Sequence, residues 1–242
     1  MKIKGMLLFY VHRYLHSIYL ILPLLLWFVF LTTNFAIAPQ YFASAIGANA
    51  LVLVLLMTWV AYAVNSIISD TALSIAAVQA RSWWTTYWVK WLFFALVAGL
   101  FSLIGIIFPL VRWLAPGTPF FFEHLTGLHF LTAFLLMWTI SMPGMAIGNF
   151  FNRHVVANRY FAVLLTILVL ICGYITPTLA ADYAWWHWVS WLLPPTGEAL
   201  TVLNQFASLS NGQALLWAGI QLLYAGVVAG VSYAWQQRRK MA

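Results

Sequence analysis

Six long apolar runs dominate this chain, at roughly 18–37, 48–66, 91–111, 129–148, 160–180 and 214–235. A helix needs about 20 such residues to cross the ~30 Å hydrocarbon core of a bilayer. Hydrocarbon offers no hydrogen-bond partner, so a crossing segment must satisfy its own backbone, and that selects helices. The alternating pattern of an outer-membrane barrel is absent from the sequence. The expectation is an all-α, polytopic membrane protein with six transmembrane helices, forming a single transmembrane domain over 1–242.

Composition agrees. Hydrophobic residues make up 64% and charged residues 6% of the chain, whereas a soluble domain carries about a quarter charged residues. So few charges cannot cover a water-exposed surface, so lipid must. The net charge of +7 does not read as nucleic-acid binding, because the basic residues stand at the ends of the apolar runs, where they set orientation and meet anionic headgroups. With the N-terminus inside, Lys2, Lys4, Arg13, Arg81, Lys90, Arg153, Arg159, Arg238, Arg239 and Lys240 are all cytoplasmic, and only Arg112 is outside. Both termini are therefore expected in the cytoplasm. The first run is longer than a signal-peptide core and a cleavage after Ala38 would leave Pro39 first, so a retained helix is expected. Cys172 is the single cysteine, which excludes an intrachain disulfide.

Three stretches outside the runs carry information. In 1–17, Ile3, Leu7, Leu8, Tyr10, Val11, Tyr14 and Leu15 fall on one side of a helix and Lys2, His12, Arg13 and His16 on the other, with Lys4 an exception. This predicts an amphipathic helix in the inner headgroup layer. The loop 65–90 is semi-apolar, with Asp70 near its start and Arg81 and Lys90 near its end, an order that suits a helix dipole. A semi-apolar cytoplasmic helix needs the bundle or a soluble partner to pack on. The outer segment 177–213 holds Trp185, Trp186, Trp188 and Trp191, then Pro194 and Pro195. Two conformations suit it, a re-entrant dip into the outer leaflet and a helix flat at the interface.

Several chemistries are disfavoured. Ionisable residues within a membrane are usually functional, yet Asp70, Glu123, Asp182 and Glu198 all fall in loops and the four lysines stand at the inner face. The sequence has no phosphate-binding loop and no H-E-x-x-H run. His124, His129 and Glu123 are the one grouping with metal-ligand chemistry, and interfacial polarity explains them more simply. No catalytic, cofactor-binding or metal-ligating residue is assigned, and the chain reads as a non-enzyme. Thr32, Thr33, Asn34, Asn49, Thr58, Asn65, Thr139, Ser141, Thr166 and Gln221 are expected to hydrogen-bond between helices, and Gly144 with Gly148 to admit a close helix approach. Pro23, Pro109, Pro143 and Pro177 kink or end helices.

The layout resembles the type-2 ABC transporter permeases, the six-helix membrane subunits of many bacterial exporters. Asp70-Thr71-Ala72-Leu73, then Arg81-Ser82, then Lys90 are similar to that family's acidic-x-Thr-Leu, Ser-Arg and Lys pattern, with Arg-Ser reversed and the usual Gly and Pro missing. Leu193-Pro194-Pro195-Thr196 resembles the Pro-containing stretch before the family's last helix. The resemblance implies a half-transporter in the bacterial cytoplasmic membrane, paired with a second permease copy or sister permease. Separate ABC ATPase subunits would supply the ATP and Mg chemistry. Ser69, Asp70, Thr71, Leu73 and Arg81 would couple to the ATPase, and Trp185, Trp186, Trp188, Trp191, Pro194 and Pro195 would form the outer element. The cargo is expected to be hydrophobic or amphipathic, such as a peptide, a lipid or an antimicrobial compound. The alternatives are the substrate-binding membrane subunit of a vitamin importer and a membrane enzyme or assembly factor.

Overall fold

All six apolar runs are helical. The computed structural model describes residues 3–80, 82–115, 120–152, 155–156, 158–204 and 211–241. In chain order the helices are α1 (Ile3–Leu15), α2 (Ile21–Asn34, preceded by a 3₁₀ turn, Ile18–Leu20), α3 (Phe42–Ile67), α4 (Asp70–Ala80) and α5 (Trp83–Leu114). They continue with α6 (Gly127–Phe150), α7 (Arg159–Asp182), α8 (Trp186–Ser190), α9 (Thr196–Asn204) and α10 (Asn211–Met241). Among the described residues the only β pairing is an isolated bridge between Gln40 and Phe121.

Five helices are long and apolar enough to cross a membrane: α3, α5, α6, α7 and, over Gly212–Arg238, α10. The first apolar run is shorter than the sequence suggests. It ends as helix at Asn34 and qualifies only together with α1, from which it is bent by 78°. The elbow follows from Ser17, whose hydroxyl accepts from the Tyr19 N–H and starts a new helical segment there. Ser82 and Asn158 likewise cap the starts of α5 and α7.

The centre of the bundle is the α3–α6 pair. Of the spanning window, 72% is buried in α6 against 28% in α7 and in α10, which puts α6 at the axis and α7 and α10 at the rim. Small residues make this possible. An added Cβ on Gly144 would lie 2.7 Å from the Val54 carbonyl oxygen, and one on Gly148 would press onto the Thr58 carbonyl. The two helices therefore meet backbone to backbone, as the small-xxx-small spacing predicts.

Proline chemistry ties in a third and a fourth helix. Pro109 has no N–H to offer the Gly105 carbonyl one turn earlier in α5. The Asn49 amide of α3 donates to that oxygen at 3.4 Å, and its own oxygen accepts from Asn34 of α2 at 2.9 Å. Asn49 is fully buried. Asn49→Leu is expected to destabilise the protein by about 1–3 kcal/mol, the cost of stranding buried polar partners. Adding Asn34→Leu should return part of that loss, and thermal unfolding of the detergent-purified variants measures both. Asn34, Asn49 and Asn65 thus bond between helices as expected, whereas Gln221 donates to the Pro195 carbonyl outside any helix. The hydroxyls do not bond across: Thr32, Thr33, Thr58, Thr139, Ser141 and Thr166 all donate to carbonyls of their own helix. A bond to the carbonyl of the preceding turn is local and competes with one across the interface.

α1 presents Met6, Tyr10 and Tyr14, one turn apart, to the bundle, where both tyrosine rings meet Phe93 of α5. Burial raises both phenols well above their ordinary pKa, so they remain neutral. Ile3, Leu8 and Leu15 are exposed. At the far end Glu123 accepts from the Phe42 N–H at 2.6 Å and so caps α3, where a carboxylate suits the dipole. His129 caps α6 through Thr126. Both have structural roles, and no metal-binding group of three His, Cys, Asp or Glu occurs among the described residues.

Candidate functional site: a short exposed helix and a proline hairpin at opposite ends

α4 lies at the end of the bundle where α3 finishes and α5 starts. The Ser69 hydroxyl accepts from the Ala72 N–H at 3.3 Å, and its carbonyl accepts from Leu73 at 3.0 Å, which caps the helix. Asp70 is its first residue. Arg81 lies outside the described residues. α4 packs on α5 with Ala76 and Ala77 buried and Leu73 half-buried. Thr71, Ile75 and Val78, spaced i, i+4, i+7, share the opposite face. All three are exposed, Val78 by 77%.

Near the ends of α3 and α5 that α4 connects lies a largely buried polar buckle. Lys90 of α5 donates to the Asn65 side-chain oxygen of α3 at 3.0 Å. Asn65 donates in turn to the Asn149 side-chain oxygen of α6 at 3.3 Å. The Lys90 ammonium also lies 5.6 Å and 5.8 Å from the Tyr87 and Phe94 ring centres. The Tyr87 hydroxyl donates to the Ala229 carbonyl of α10 at 2.7 Å. Four helices are joined there, and α4 connects the two that carry Asn65 and Lys90. Lys90 is only 6% exposed, although its sequence position places it at the headgroups. The reason is the length of α5: it starts at Trp83, so Lys90 sits two turns inside it. Trp91 is buried with it, while Trp83, Trp84 and Trp88 are exposed.

The Trp- and Pro-containing segment lies at the opposite end. A Cβ on Gly173 of α7 would press into the Pro194 ring. One on Gly197 would press onto the Tyr174 carbonyl and lie 2.6 Å from that of Gly173. The Gln221 amide of α10 donates to the Pro195 carbonyl at 2.7 Å, and the Tyr224 hydroxyl to that of Leu192 at 3.1 Å. Gly173 is nine residues from the end of α7 and Gln221 ten from the start of α10. At 1.5 Å per residue the prolines therefore sit about 14 Å down from the helix ends. α9 then climbs back until Asn204 reaches Gly47, five residues from the start of α3. The segment is a hairpin wedged between α7, α10 and α3, with Pro194, Thr196, Gly197 and Leu200 buried.

The four tryptophans do not share that burial. Trp185, Trp188 and Trp191 are exposed, the last two by 85% and 86%, whereas the Trp186 indole nitrogen is enclosed. Of the outer-element residues, Pro194 and Pro195 make the packing contacts, and their partners Gly173, Gly197 and Gln221 lie outside that set. A glycine on each side of a Pro-Pro pair was the available signal for them. Cys172, one residue before Gly173, is half-buried. Comparison of the chain with protein-family models, with curated proteins and with solved structures finds no match.

Proposed function

We propose that this chain is the permease subunit of an ATP-driven exporter of the type-2 ABC kind, working as a half-transporter beside a second permease. The observation that carries the reading is the proline hairpin wedged about 14 Å down between α7 and α10, opposite an end where α4 bears an exposed Ile75–Val78 stripe. In a bilayer the hairpin is re-entrant, its irregular backbone tolerated because protein surrounds it.

α2 is the sixth crossing. Tyr19, just before it, and Ile67 line one groove at the α4 end, whereas Asn34 at its other end donates to the Ala45 carbonyl at 3.1 Å. The 17 residues from Ile18 to Asn34 correspond to ~27 Å of helix, so α2 and its 3₁₀ turn run beside the bundle for most of the ~30 Å hydrocarbon depth. The α4 end is cytoplasmic because the basic residues gather there. α1 then lies along the inner headgroups.

Separate ATPase subunits, holding ATP and Mg, dock on α4 through Ile75 and Val78. Their closure pushes α4, which transmits the motion through the Asn65–Lys90 buckle to α3 and α5 and changes access to the cargo path. A bundle with a lipid-facing, largely apolar rim suits a hydrophobic or amphipathic cargo.

Gentle detergent extraction from the native host, with mass spectrometry of what co-elutes, tests the reading. An ABC ATPase at about one copy per permease is expected. Ile75→Asp with Val78→Asp should lower its recovery at least tenfold with the thermal midpoint unchanged, since both side chains already face solvent. A chain that elutes with no ATPase, or a double variant that retains it in full, overturns the reading.

A further inference from the structure

The elbow between α1 and α2 holds an open groove of about 640 Å³ lined by Phe9, His12, Arg13, His16, Tyr19 and Ile67 among others. Among the described residues that line it, none is acidic. Arg13 lies 5.8 Å over the Phe9 ring. The His16 Nδ1 is 2.9 Å from the His12 carbonyl. A carbonyl only accepts, so Nδ1 carries the proton and the ring is held in place. The His12 and His16 rings are 4.1 Å apart. The opposite face of α1 is locked into the bundle by Tyr10 and Tyr14 on Phe93, so this basic face cannot turn away.

Next in the chain to the groove residues Ser17 and Tyr19, a strip of exposed apolar side chains runs along the 3₁₀ turn and α2. Ile18 is 76%, Ile21 60% and Leu25 56% exposed. A cationic cup joined to an apolar strip has the shape of a phospholipid complement: charge for the phosphate, an aromatic hydroxyl at the glycerol level, and branched aliphatics for an acyl chain. A soluble phosphate would use only the cup.

We propose that the elbow groove binds one anionic phospholipid, its phosphate held by Arg13 and His12 and its acyl chain lying along Ile18, Ile21 and Leu25. The site rests on this end lying at headgroup level, part of the topology proposed above, and is independent of the transporter reading. Its ligand would fix the angle between α1 and the bundle, since it contacts both arms of the elbow.

The test is native mass spectrometry of the full chain in a neutral detergent, titrated with phosphatidylglycerol or phosphatidylcholine of equal chain length. Wild type is expected to retain one phosphatidylglycerol per chain in preference to phosphatidylcholine. Arg13→Gln should weaken that adduct roughly fivefold, the effect of removing one basic side chain near an anionic lipid. Arg112→Gln, at the other end of the bundle, should leave it unchanged. Ile18→Ser with Ile21→Ser keeps the cup and should also weaken it. Arg13→Lys, which retains charge but loses the planar fork, covers the case of a misfolded Arg13→Gln and should weaken the adduct by a smaller factor. Equal retention in wild type, Arg13→Gln and Arg13→Lys overturns the proposal. So does displacement of the adduct by millimolar inorganic phosphate with no effect of the Ile18/Ile21 change, which would assign the groove to a soluble anion.

Discussion

Leucine in place of Gly148 is expected to prevent recovery of monodisperse protein from detergent. The position leaves no room, because a Cβ there presses onto the Thr58 carbonyl and lies 3.1 Å and 3.2 Å from its carbonyl carbon and Cα. Backbone cannot swing aside as a flexible side chain can, so the α3–α6 pair must separate along its whole central seam. Overpacking in a well-filled core costs about 1–3 kcal/mol, occasionally more, and a clash against backbone belongs at or beyond the top of that range. Total stability is on the order of 5–15 kcal/mol, so the loss is a large share of it. Gly226→Leu is the matched control, since a Cβ there meets nothing within 4 Å; it should stay within about 0.5 kcal/mol of wild type. Size-exclusion profiles and thermal midpoints of the two variants decide the matter, and equal behaviour would show that α3 and α6 do not meet as described.

The second large effect is local. Gly197→Val drives a branched side chain at the carbonyls of Gly173 and Tyr174 and at the Pro177 ring, so the hairpin must leave its slot between α7 and α10. The α3–α6 seam is untouched, and the variant should remain monodisperse. The readout is thiol accessibility. In a Cys172→Ser background, Thr196→Cys places a probe at a position that is 3% exposed. Maleimide labelling of that probe should rise at least tenfold with Gly197→Val, because ~1.4 kcal/mol of local destabilisation is a tenfold change in the open population. Gly219→Val, at an open position, should not alter the rate. An unchanged rate with Gly197→Val would mean that the hairpin is not seated where its contacts place it.

The helices were legible because length and apolarity alone report them; no register or pairing has to be inferred. The capped helix over α4 was also legible, from Asp70 and the semi-apolar run that follows it. Depth was harder. Lys90 reads as a headgroup contact when helix ends are set by hydropathy, and only the two extra turns of α5 before it, built from Trp, Thr and Tyr, carry it inside. The Pro-Pro segment left two conformations open because the sequence shows a break but not its neighbours. What seats it is the pairing of Gly173 with Pro194 and of Gly197 with the α7 backbone, partners about twenty residues apart on either side of a bend. The first apolar run was overestimated by three residues at its end, where Asn34 turns its amide to Asn49 rather than continuing the helix.

The two interior prolines of α5 and α7 leave those helices mechanically different. Pro109 frees the Gly105 carbonyl, but Asn49 holds that oxygen from a neighbouring helix, so α5 behaves as a braced strut. Pro177 frees the Gly173 carbonyl at the place where the Gly197 backbone and the Pro194 ring lean on α7. There α7 has a joint, and the hairpin is the handle resting on it. A load on the hairpin would therefore bend the end of α7 beyond Pro177 while α5 keeps its line.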